Sequence, residues 1–146
     1  MGRWGFVPPV KRRPDGSEFP PLPPDVEAAA TKAVDAAFKV HSVLGPGLTE
    51  NVYEACLCRE LAVRGIPFRS QVSVPISYEG VKLDASLRSD LIVDERLIME
   101  IKSVERLTPL FEAQLMTYLR LTNLRLGLLV NFNTVLFKEG IKRIIC

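Results

Sequence analysis

The chain has 146 residues, of which 47% are hydrophobic and 25% charged, and a formal net charge of +2. Length and composition suit one globular domain with a real core, since a domain near 150 residues buries about 68–70% of its unfolded-chain surface. No apolar run reaches the roughly 18 residues of a membrane-spanning helix. The excess charge sits at the start: residues 1–24 carry Arg3, Lys11, Arg12 and Arg13 against Asp15 and Glu18, while residues 25–146 hold 15 basic and 15 acidic side chains. A neutral body argues against an indiscriminate DNA-coating protein and leaves room for a local basic patch.

Seven of the 11 prolines lie within residues 1–24. That density predicts a flexible or polyproline-like N-terminal arm ahead of a single domain over residues 25–146. The arm lacks the apolar stretch of a secretory leader. Lys11-Arg12-Arg13 could tether it electrostatically, its prolines could engage a partner, or it is plain disordered chain. Cys56, Cys58 and Cys146 are too few and too odd in number for a disulfide framework, which points to a reducing, cytoplasmic setting. Cys56 and Cys58 fall in a helical pattern about 200° apart and cannot grip one zinc together, and His41 is the only histidine available to complete a set.

From Asp25, the apolar positions Val26, Ala29, Ala30, Ala33, Val34, Phe38, Val40 and Val43-Leu44 predict a helix that Gly45-Pro46-Gly47 must stop. A second helix is expected from about Thr49 to Arg64, closed by Gly65. The period then changes. Gln71–Tyr78 alternates, Glu79-Gly80 turns, and Val81–Val93 alternates again. Asp94-Glu95-Arg96 turns into a third strand, Leu97–Lys102. Leu107–Thr122 reads as a helix with Pro109 in its first turn and Leu110, Phe111, Leu115, Tyr118 and Leu119 on one face. Leu126–Phe132 is a nearly continuous apolar run, as in a strand covered on both faces. Val135–Phe137 and Ile141–Ile145 are expected as short final strands.

Charged residues interrupt this apolar frame at one place. Glu100 and Lys102 share one face of a strand otherwise made of Ile98, Met99 and Ile101, and buried charge is costly unless paired or bound to a cation. A hairpin centred on Glu95 sets Asp90 directly opposite Glu100, with β-carbons about 4.5–5.5 Å apart. Two carboxylates that close tolerate each other when a hard divalent cation lies between them, and oxygen donors are what magnesium prefers. Lys102 on the same face can then meet an anionic substrate or a nucleophilic water. The other reading of this Asp-x(9)-Glu-x-Lys spacing is a self-neutralising ion cluster of Asp90, Glu100, Lys102 and Arg88. Glu50, Tyr53, Glu54 and Leu57 share a face of the second helix, with Glu50 in the first turn where the helix dipole favours an anion. Gln114 and Tyr118 share a face of the third helix, and Gln114 is expected to be half-buried and hydrogen-bonded.

These blocks resemble a known family. Gly47-Leu48-Thr49-Glu50-Asn51-Val52-Tyr53 matches the signature of the GxxExxY proteins. Arg88–Val93, Glu100-Ile101-Lys102, Glu112-Ala113-Gln114 with Tyr118-Leu119, and Gly127–Phe132 are similar to that family in order and spacing, over about residues 26–145. The family is in turn similar to the PD-(D/E)xK nuclease superfamily. The resemblance implies an α/β (α+β) fold with a restriction-endonuclease-like α-β-β-β-α-β core and a mixed central sheet flanked by helices. It implies a magnesium site, with manganese as the alternative, held by Asp90, Glu100, the Ile101 carbonyl and Glu50, with Glu54 as the substitute acid. Lys102 would be the third signature residue, and Gln114 and Tyr118 would face the site. Ser89 stands where the superfamily pattern has proline. The implied activity is phosphodiester hydrolysis of nucleic acid, DNA ahead of RNA, with Arg69, Arg88 and Arg106 as candidate backbone contacts. A homodimer or a larger nuclease–helicase partner is compatible with it. The alternative is an inactive nucleic-acid- or protein-binding module on the same fold.

Overall fold

The computed structural model describes residue 13 and residues 15–146. Lys11 and Arg12 of the basic tract lie outside them. Of the proline-rich segment, the Pro20 and Pro21 carbonyls accept hydrogen bonds from the Arg125 guanidinium at 2.6 and 3.2 Å, and Leu22 packs on the core.

Helix α1 spans Pro24–Leu44. It begins on a proline, whose missing N–H is no loss in a first turn, and places Asp25 and Glu27 at the positive end of its dipole. Its inner face is nearly all alanine, with Ala29, Ala30, Ala33, Ala36 and Ala37 buried. Helix α2 spans Glu50–Val63 and buries Tyr53, Leu57 and Leu61 at 3.6-residue spacing. Strands β1 (Phe68–Tyr78), β2 (Val81–Val93) and β3 (Leu97–Lys102) follow, then α3 (Pro109–Thr122), β4 (Leu126–Asn131) and β5 (Ile141–Ile145). The expected strand at Val135–Phe137 does not form. Val135 and Leu136 are exposed and Phe137–Glu139 is a single 3-10 turn, because the chain must reverse before β5 and uses Phe137 as a plug against Phe38 and His41.

The five strands make one sheet in the order β1-β2-β3-β4-β5, mixed because β3 and β4 run parallel while the other neighbours are antiparallel. α1 and α2 cover one face, over Leu91, Val93, Leu97, Met99, Ile101, Leu128 and Val130. α3 covers the other, over Ile92, Ile98, Leu129 and Ile144. Every residue of β4 is buried, as its apolar run requires. This α-β-β-β-α-β arrangement is the restriction-endonuclease-like core.

The β2–β3 register is Leu91↔Met99, Ile92↔Ile98 and Val93↔Leu97, and there it stops. Beyond it, β3 continues against β4 alone and β2 against β1 alone. The sheet therefore forks. One arm is the buried slab β3-β4-β5; the other is a two-stranded ribbon whose far end, residues 81–86, is exposed at every position.

Candidate active site

The fork opens at the two acids. Continuing the register sets Asp90 opposite Glu100, and side chains replace the missing ladder there. The Asp90 amide donates to Glu100 Oε1 at 3.2 Å, and the Ile101 amide donates to Asp90 Oδ2 at 2.8 Å. Ser89 Oγ adds a third bond to Glu100 Oε1 at 3.1 Å. Each carboxylate thus reaches across the fork and satisfies a backbone N–H that the separating strands would leave unpaired. Ser89 at the proline position of the pattern has a task of its own, as a donor to the buried acid.

Glu100 is only 6% exposed. Burial, then the neighbouring Asp90 charge, push its carboxyl up to about 8, against a small opposing pull from Lys102. Lys102 is half-buried and sets its ammonium 4.9 Å from the centroid of the Phe111 ring. Among the described residues, no ion pair joins Asp90 or Glu100 to Lys102 or Arg88. The self-neutralising cluster is therefore not what forms.

α2 supplies two further acids. Glu54 Oε1 accepts from Gln71 Nε2 at 2.6 Å, and the same nitrogen lies 3.4 Å from Asp90 Oδ1. Burial raises the Glu54 carboxyl, the Gln71 bond opposes it, and the charges of Asp90 and Glu50 raise it further. Glu50 Oε1 accepts from the Ser103 amide at 3.3 Å, one residue past Lys102. Both acids border the site, and Glu54, considered only as the substitute, is the one linked to Asp90. From α3, Tyr118 is half-buried, and burial, then the charges of Glu100 and Asp90, push its phenol up. Gln114 departs from expectation. It is exposed, because it lies at the edge of the apolar stripe by which Phe111, Leu115, Tyr118 and Leu119 pack on the sheet. Arg69 is also engaged elsewhere, in a two-pronged pair with Glu95 at 2.7 and 2.9 Å. Arg88 and Arg106 are exposed.

The loops around the site are pinned by residues whose roles the sequence did not disclose. Tyr53 is fully buried, stacks on Phe132 at 4.6 Å, donates its hydroxyl to the Gly45 carbonyl at 2.6 Å and accepts from the Leu48 amide at 3.1 Å. It clamps the turn ahead of Glu50, where Gly47 has φ of 101°, a value that excludes side-chain-bearing residues. Asn131 holds both the N–H and the C=O of Val104 at 3.1 and 2.9 Å, and Asn133 ties Gly47 to Val104. A buried asparagine at the end of a core strand was the available signal, since its amide must find partners. Gln71, in a strand of alternating residues, gave none.

The donor set fits a hard cation in chemistry: all four acids offer oxygen, and negative charge is in surplus around the Glu100 carboxyl. In this arrangement, however, no group of three acidic, histidine or cysteine side chains among the described residues converges closely enough to hold an ion. Among the described residues no helix is long and apolar enough to cross a membrane.

No curated protein and no solved structure gives a significant match to the chain. A family model does match, over residues 27–144, from the first turn of α1 into β5, and this span holds Asp90, Glu100, Lys102 and both acids of α2. The chain therefore belongs to the PD-(D/E)XK nuclease superfamily.

Proposed function

We propose that the protein is a divalent-metal-dependent nuclease of the GxxExxY group that hydrolyses phosphodiester bonds in nucleic acid. A nuclease fold implies a nucleic-acid substrate, and the superfamily's nucleases generally depend on divalent metals. The observation that carries the reading is the pair of acids at the fork, two opposed carboxyls in an apolar sheet with no ion-paired cation among the described residues. The subgroup assignment is supported by the tasks its signature residues perform: Gly47 makes the turn, Glu50 reaches the loop after Lys102, and Tyr53 locks that turn to the core.

Asp90, Glu100, the Ile101 carbonyl and an acid of α2, Glu50 or Glu54, would hold the ion, with magnesium preferred by this donor set and manganese the alternative. When bound, it supplies a water of lowered pKa and charge stabilisation at the phosphoryl group. Lys102, turned toward Phe111 and in no ion pair among the described residues, can swing to a phosphate oxygen or orient the attacking water. Tyr118 has a hydroxyl kept protonated, suited to donate to phosphate. Exposed Gln114, one turn away, can contact the substrate backbone, as can Arg88 and Arg106.

The test is cleavage of plasmid, linear duplex and single-stranded DNA and of RNA, with magnesium or manganese. Asp90→Ala and Lys102→Ala should each lower the rate at least 100-fold, and chelator should abolish it. Cleavage that survives both substitutions or chelation rejects the mechanism. A specific observation favours a second reading, a binding module without catalysis: both acids already satisfy backbone N–H groups. In that case nucleic acid binds without metal and binding survives Glu100→Gln.

A further inference from the structure

Gln71 occupies an unusual place in β1. The pairs Ser70↔Leu91 and Val72↔Ser89 flank it in one unbroken register, so it lies opposite Asp90. Its φ is +50°, the left-handed region that a residue with a side chain rarely adopts. The other left-handed non-glycine residues among those described, Glu79, Asp94, Glu95 and Asn123, sit in turns or at a helix end, where the chain must reverse. Gln71 alone is strained inside a strand.

The strain has two consequences. It switches the face that the strand presents: Phe68 packs in the core under α1 and α2, while Val72, of the same parity, packs under α3. It also accompanies the placement of the side-chain amide, which lies 2.6 Å from Glu54 Oε1 and 3.4 Å from Asp90 Oδ1. One neutral donor joins an acid of the helix layer to an acid of the sheet across the mouth of the fork. Backbone strain held at such a point is what a functional constraint leaves behind.

We propose that Gln71 is a positioning residue of the candidate metal site: its amide fixes the Glu54 and Asp90 carboxylates relative to each other and so sets the geometry in which Asp90 meets the ion. The assignment rests on the metal-dependent reading above. Partners that orient metal ligands typically contribute about 10- to 100-fold in affinity or activity.

Gln71→Gly separates backbone from amide, because glycine accepts the left-handed φ and keeps the face switch while deleting the donor. In the full-length protein, Gln71→Gly should melt no lower than the parent, bind manganese about 10-fold more weakly by calorimetry, and lose kcat with little change in KM. Glu54→Ala should weaken manganese comparably, and the Gln71→Gly, Glu54→Ala double variant should be no worse than the weaker single, since the amide acts through that acid. Unchanged manganese affinity in Gln71→Gly, or additive losses in the double variant, overturns the role of Gln71 alone. A parent protein that binds no manganese overturns the metal-dependent reading and this assignment with it.

Discussion

At the scale of single residues, Glu100 is the group whose surroundings fit it least. It is buried, faces Asp90, and accepts two hydrogen bonds, from the Ser89 hydroxyl and the Asp90 amide, with no cation in ion-pair range among the described residues. Its carboxyl is held above the ordinary value of 4.5, so the destabilisation from ionising it is absent in acid and grows as pH climbs from about 4.5 toward 8. Glu100→Gln keeps an acceptor for Ser89 and the Asp90 amide while removing the charge. In ion-free protein above neutral pH it should therefore stabilise the fold, by about 1–3 kcal/mol, seen as a higher Tm in chelator. The same variant should lose whatever Tm increase magnesium gives the parent. A variant less stable than the parent at pH 8 would mean that the site is built around the ionised acid without any need of a counter-ion.

Among elements, α3 and β4 meet most closely at Gly127. A β-carbon added there would come within 2.7 Å of Leu115 Cγ, and Leu115 is fully buried. Gly127→Ala should cost about 1–3 kcal/mol by overpacking, measured by urea denaturation, and should shift α3 together with Tyr118. Much of this level was legible in the sequence. The alternation from Val81 to Val93 and the turn at Asp94-Glu95 fixed the hairpin register, and with it the facing of Asp90 and Glu100, because a one-residue slip would have turned Leu91 and Met99 out of the core. Asp94 and Glu95 are both left-handed, which acids tolerate better than β-branched residues do. Gln114 was misread because it borders the apolar stripe of Phe111, Leu115 and Tyr118, and helical periodicity does not say which side of that border is covered. Val135–Phe137 has strand-like composition, yet tertiary packing of Phe137 decides its shape. Gln71 could not be found from sequence, since nothing in Gln71–Tyr78 marks a left-handed backbone inside a strand.

For the molecule as a whole, ion pairs tie α1 to β5 and to the turn between β2 and β3. Arg143 of β5 donates to both oxygens of Glu27 at 3.0 and 2.6 Å, and Arg96 donates to Asp25 at 2.9 Å. The Arg143 hydrogen bond holds the Glu27 carboxyl below its ordinary 4.5. Its stabilisation is complete above that value and is lost as pH falls through the lowered one. Glu27 is 46% exposed, so solvent reduces the gain, but Arg143 is 12% exposed with Nε already unpartnered. Glu27→Gln should cost about 1 kcal/mol at pH 7 and flatten the fall of stability as pH drops below Glu27's ordinary 4.5, followed by denaturant melts across the acid range. Parallel curves for parent and variant would place the acid sensitivity elsewhere.

The ribbon of β1 and β2 has a mechanical side. Past the fork its two strands pair only with each other, Val72 packs under α3, and the residues at its base are Gln71, Ser89 and Asp90. A load on the exposed tip at Tyr78 and Val81 is carried back along the paired strands to those three. Whatever grips the tip would act as a lever whose pivot is the acidic pair, so that bending the ribbon widens or narrows the gap between the two carboxyls.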